Sequence, residues 1–126
     1  MGETKQKLVL VAVILTLLLF STAASANKSA VTIEAPATAQ NGSEILIKVH
    51  VSHEGNNFIH YTEWVHVKVN GTEVARWEYS PFNRPDSENF TKEIAVTIKG
   101  PTEIVAEASC NIHGSKGPAK IVIDAK

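Results

Sequence analysis

From Glu44 to Val51 the chain alternates without a break, with Ile45, Ile47, Val49 and Val51 on one side and Leu46, Lys48 and His50 on the other. A period of two is the signature of a β-strand with one face in a core, and it is incompatible with a helix. The pattern recurs from Tyr61 to Val69, where Val65, Val67 and Val69 oppose Trp64, His66 and Lys68. Asn70-Gly71 follows at once. Both residues tolerate the positive φ of a tight type I′ turn, so Glu73–Tyr79 is read as the returning strand of a hairpin.

Further strands are expected at Val31–Glu34, Phe90–Ile98, Glu103–Cys110 and Ala119–Asp124. Asn41-Gly42, Gly55-Asn56-Asn57, Pro81 to Pro85 and Gly100-Pro101 supply the turn chemistry between runs, and Ser80–Asn89 is the longest loop. Beyond residue 26 no segment keeps a helical period for three turns. These runs predict an all-β, immunoglobulin-like β-sandwich of about seven strands. The Cys…Trp…Cys pattern of immunoglobulin domains is missing, so the likeness is one of architecture.

The first 26 residues read as a signal peptide. Lys5 and Lys7 precede an apolar run of thirteen residues from Leu8 to Phe20, and Ala24-Ser25-Ala26 has the small-x-small form of a cleavage site. The run is shorter than the ~18–20 residues of a spanning helix, although an uncleaved membrane anchor through residues 8–20 is the alternative. Either reading places residues 27–126 in an exported setting, periplasmic or otherwise extracytoplasmic. That stretch is one domain's worth of chain. It carries 10 basic and 12 acidic side chains, a net charge of −2 once Glu3, Lys5 and Lys7 are set aside. With no basic stripe, nucleic acid is not an expected partner. Solvent-facing Ser, Thr and Asn permit a homo-oligomer without requiring one.

Cys110 is the sole cysteine, in Cys110-Asn111-Ile112-His113-Gly114. It has no disulfide partner in its own chain, and an exported free thiol is open to oxidation. Metal binding accounts for it, because two intervening residues let a sulfur and an imidazole meet one ion from a tight turn. His50, His53 and His60 gather about fifty residues upstream. Cys110, His113, His60 and His53 are the candidate ligands. His50 is weighed between ligand and solvent-facing side chain, while His66, in mid-strand, is read as structural. Tyr61 and Trp64 are candidates to wall the site. No nucleophile elbow, Gly-rich strand-to-helix loop or carboxylate pair competes with this reading.

The segment Cys110-Asn111-Ile112-His113-Gly114 resembles the Cys-Asn-x-His-Gly signature of the superoxide reductase family, the iron-binding domain of desulfoferrodoxin and neelaredoxin. The stretch from His53 to His60-Tyr61 and Trp64 is similar to the family's second signature. The resemblance spans roughly residues 30–125. It implies a mononuclear non-haem iron with four equatorial histidines and one axial thiolate, reducing superoxide to hydrogen peroxide with electrons from an external donor. Six residues separate His53 from His60, where the family has five. The family's first histidine belongs to a Glu-Lys-His-x-Pro segment, and that region here reads Lys28-Ser29-Ala30-Val31-Thr32. His50 is therefore the nearest candidate for the fourth imidazole, and Lys116 for the positive charge that draws in superoxide. No CxxC motif is present for a second iron centre. Two rivals stand beside an enzyme: a copper-binding, cupredoxin-like electron carrier, lacking that class's usual axial methionine, and a non-catalytic metal-binding or interaction module.

Overall fold

The computed structural model describes residues 27–126. The signal peptide expected over residues 1–26 lies outside the described residues. Eight strands follow in chain order: β1 Ala30–Glu34, β2 Thr38–Ala39, β3 Glu44–Ser52, β4 Thr62–Val69, β5 Thr72–Glu78, β6 Asn89–Thr97, β7 Thr102–Cys110 and β8 Ala119–Ala125. Two sheets form a β-sandwich, one of order β1-β3-β6 and one of order β2-β8-β7-β4-β5. Neighbours are antiparallel except β2, which pairs parallel to β8.

The alternation seen in sequence is the reason for the two layers. Ile47, Val49 and Val51 of β3 face Val65 and Val67 of β4, Ile104, Ala106 and Ala108 of β7 and Ile123 of β8 in one buried cluster. Each fully buried Val or Ile stabilises the fold by ~1.5–3 kcal/mol relative to exposure. Asn70 and Gly71 both take positive φ, 49° and 83°, as the β4–β5 hairpin requires. The seven expected strands all form, with ends displaced by a residue or so. The eighth, β2, is only two residues long and has no room to show a period. It hydrogen-bonds β8 at the edge of its sheet.

Three features of this frame position the functional residues. The inward register of β7 runs Ile104, Ala106, Ala108 and ends on Cys110, 3% exposed. The inward register of β3 runs Ile47, Val49, Val51 and continues past the strand to His53, 2% exposed. At the same rim, β4 begins at Thr62 opposite Cys110, and its ladder slips register between Thr62 and Trp64. A β-bulge at a rim re-aims the chain that enters it, and here the entering chain carries His60.

Candidate metal centre

Four side chains meet at this rim. His53 Nε2 lies 3.1 Å from His60 Nε2, which lies 3.0 Å from His113 Nδ1, which lies 3.9 Å from Cys110 Sγ. The ligand atoms of His53, His60 and Cys110 all fall within 4.8 Å of one another. Successive imidazoles stand nearly perpendicular, at 79° and 87°. His53 and Cys110 are buried, His60 is half-buried and His113 is exposed, so the cluster opens to solvent at the His113 side.

Local sequence explains each placement. The Cys110 N–H donates to the Gly114 carbonyl at 2.9 Å and the Gly114 N–H returns to the Cys110 carbonyl at 3.1 Å, closing the turn. Gly114 has φ of 79°, a left-handed conformation that a side chain would strain. Inside that turn the backbone N–H groups of Ile112 and His113 both donate to Cys110 Sγ at 3.4 Å. These two contacts fix the direction of the sulfur. In the facing loop, Asn57 Oδ1 accepts from the Ile59 and His60 N–H groups at 2.9 Å each, turning the chain so that His60 looks inward. Asn111 joins the two loops. Its side chain donates to the Ile59 carbonyl and accepts from the Tyr61 N–H, while its own N–H donates to the Tyr61 carbonyl.

The tautomer of His53 follows from its partner. Asn56 Oδ1 accepts the Thr62 N–H at 2.9 Å and lies 3.1 Å from His53 Nδ1, while Asn56 Nδ2 donates to the Ser87 carbonyl. The oxygen is thus an acceptor toward both, so His53 Nδ1 carries the proton and Nε2 presents its lone pair to the cluster. Burial holds the pKa of His53 below its ordinary value, the bond to Asn56 opposing this and the neighbouring imidazoles adding to it. A neutral imidazole is the form that binds metal.

Three imidazole nitrogens and a thiolate are the donors of a first-row transition ion. Metal–nitrogen bonds of about 2.1 Å at right angles put two nitrogens about 3 Å apart, the separation found on both sides of His60. His53, His60 and Cys110 fit one ion, and His113 adjoins them through His60 and Cys110.

His50 does not join them, which corrects the expectation that it supplies a fourth imidazole. It lies one residue out of step with Val49 and Val51, on the outer face of the three-stranded sheet. There Nδ1 meets Thr91 Oγ1 at 2.8 Å and Nε2 meets Glu34 Oε2 at 3.0 Å, tying β3 to β6 and β1. His66 is structural as read, flanked by Glu73 at 3.5 Å and Glu107 at 3.8 Å. Trp64 does not wall the cluster. It packs on His66 and under Arg76 on the outer face of its sheet. Beside His53 is a cleft of about 380 Å³ whose lining includes Lys28, Glu54, Glu88 and Lys116. Lys116 was expected near the site. Lys28, Asn56, Asn57 and Asn111 were not, because amides in turns read as turn formers and a lone lysine carries no spacing signal.

Fold and cluster together define a β-sandwich with histidines and one cysteine gathered at its rim. The sequence profile of the desulfoferrodoxin family matches residues 21–115. The chain belongs to that family. Among solved structures, the fold is similar to a superoxide reductase (neelaredoxin) from Ignicoccus hospitalis, with TM-score 0.66 and 19% identity over 79% of this chain and 82% of that one. A CARDB domain from Pyrococcus furiosus in complex with di-metal ions has TM-score 0.61 and 20% identity over 78% of this chain and 87% of that one. The sulfur carrier protein SoxY from Chlorobium limicola has TM-score 0.55 and 16% identity over 76% and 78% of the two chains. No curated protein sequence matches the chain significantly.

Proposed function

We propose that this chain is an exported, superoxide reductase-like protein that holds one non-haem iron through His53, His60, His113 and Cys110. The observation that carries the reading is the convergence of three imidazole nitrogens and an amide-supported sulfur at one rim, in a member of the desulfoferrodoxin family. A bound iron would supply the electron that, with two protons, turns superoxide into hydrogen peroxide, and an external donor would restore it.

The chain's own residues have separable tasks. The Ile112 and His113 amides fix the direction of the Cys110 sulfur. Asn56 holds the His53 proton on the nitrogen away from the cluster. Exposure of His113 leaves an approach from solvent. Lys28 and Lys116, on the cleft beside His53, supply positive charge for a small anion, with Glu54 and Glu88 on the same lining. Water at the exposed side is the nearest source of protons.

One observation favours a second reading, a metal-binding module without turnover. Ser29, in the segment where the family carries a histidine, is buried and hydrogen-bonded to Thr62 Oγ1 at 3.0 Å. Fewer imidazoles on the ion alter reactivity before they abolish binding.

The test is metal analysis, the visible spectrum and a superoxide assay on protein purified anaerobically. One iron per chain, a thiolate-to-ferric band on oxidation and peroxide formed from superoxide without oxygen evolution support the enzyme. Iron with negligible turnover supports the module, and copper with an intense blue band replaces both with an electron carrier. Cys110→Ser is expected to abolish the thiolate band and lower iron affinity at least about tenfold.

A further inference from the structure

The donor set has a backbone neighbour. The Asn27 carbonyl oxygen lies 3.4 Å from Nε2 of His60, the nitrogen that faces His53 and His113, and the same carbonyl reaches the His53 imidazole. It stands against the cluster on the face where its nitrogens converge. Its position is anchored two residues on. The Ser29 N–H donates to the Gly114 carbonyl at 3.2 Å, and the Lys116 N–H donates to the Ser29 carbonyl at 2.9 Å. The Ser29 hydroxyl is buried against Thr62. The metal loop therefore holds the start of the domain as a short parallel bridge between Ser29 and Ser115.

Asn27 is also the residue that follows Ala24-Ser25-Ala26. In an uncut chain its nitrogen is an amide, whose lone pair is delocalised into the carbonyl and is no metal donor. Hydrolysis of the Ala26–Asn27 bond by a signal peptidase breaks that C–N bond. The hydroxyl of water goes to the Ala26 carbonyl carbon and its proton to the Asn27 nitrogen, which becomes an α-amine. An amine nitrogen and the carbonyl oxygen of one residue are joined through only two carbons, so an ion held beside the Asn27 carbonyl is within reach of the amine.

We propose that the mature N-terminus at Asn27 is itself a ligand, its α-amine taking the one place that the absent fourth imidazole leaves beside three histidines and Cys110. Export processing is thereby the step that finishes the site, and the precursor binds metal weakly. This rests on the iron-binding reading above. It also assigns the place left by the absent fourth imidazole to the backbone of Asn27 rather than to any other histidine.

The test compares three forms of the full-length gene product. They are the exported protein after processing, the Ala26→Phe precursor that resists cleavage, and the processed protein acetylated at its α-amine alone. Mass spectrometry establishes each N-terminus, circular dichroism the fold, and chelator competition the affinity for ferrous iron. The thiolate-to-ferric band and the electron paramagnetic resonance of the oxidised form report the ligands. Processing at Asn27, with affinity at least about tenfold lower and altered spectra in both the precursor and the acetylated form, is expected. Equal affinity and identical spectra in all three would overturn the proposal while leaving the iron site intact. Loss in the precursor but not on acetylation also overturns it, since only bulk is then at work. A mature terminus at another residue does the same. Failure of every form to bind iron sinks the proposal together with the function it rests on.

Discussion

Cys110 and His53 face each other because both continue an inward register, two residues at a time, from strands in opposite sheets. His50 breaks that parity by one residue and lands outside. Its bonds to Glu34 and Thr91 are exposed, where solvent competes for both partners and little stability is gained. His50→Ala is accordingly expected to leave iron stoichiometry and spectrum unchanged, and to lower the denaturation midpoint only slightly. His66 carries a pH dependence. Burial holds its pKa below the ordinary 6.5, against the carboxylates of Glu107 and Glu73 that pull it up. The unfolded chain then takes up a proton that the fold resists, so stability is fully present above about pH 6.5 and falls as the pH drops toward the folded value. Urea midpoints measured at neutral and at mildly acidic pH should differ less in His66→Gln than in the parent.

At the scale of elements, the site is two loops held in register by one amide. Asn111 makes three hydrogen bonds to the segment Ile59–Tyr61, and neither loop has a regular ladder of its own there. Asn111→Ala is expected to retain the far-ultraviolet spectrum of the sandwich and to weaken iron binding about 10–100-fold, the usual cost of losing a group that orients ligands. Chelator competition measures it. Strands and the hairpin are legible in the sequence, since a period of two and an Asn-Gly pair are local properties. Asn56, Asn57 and Asn111 were legible only as turn formers. Whether an amide caps its own turn or reaches fifty residues away, as Asn111 does to Tyr61, is decided by packing.

For the whole molecule, the same eight-stranded arrangement resembles a superoxide reductase, a di-metal CARDB domain and a sulfur carrier at 16–20% identity. The sandwich does not choose the chemistry; its rim does. Core and rim are nonetheless coupled, because β3 and β7 contribute to both. Ile47→Ala is expected to cost about 2–5 kcal/mol in the metal-free protein. Iron bound to the folded form alone adds about 2.7 kcal/mol at a hundred times its dissociation constant. Thermal melts should therefore show the variant's loss partly recovered on anaerobic addition of ferrous iron, with a smaller recovery when Cys110→Ser is combined with it.

The alternation of Val and Ile, the Asn70-Gly71 turn and the Cys110-Asn111-Ile112-His113-Gly114 run determined, from sequence alone, an all-β chain carrying a Cys-Asn-x-His-Gly motif. They are local signals, set by strand parity, backbone φ and the reach of a single turn. Tertiary structure decided which histidines join that motif. Distance between loops depends on sheet order, on a bulge at Thr62 and on side-chain amides bridging segments far apart in the chain, and none of these leaves a periodic trace. So His53 and His60 turn in, His50 turns out, and the backbone of Asn27 comes to lie beside them.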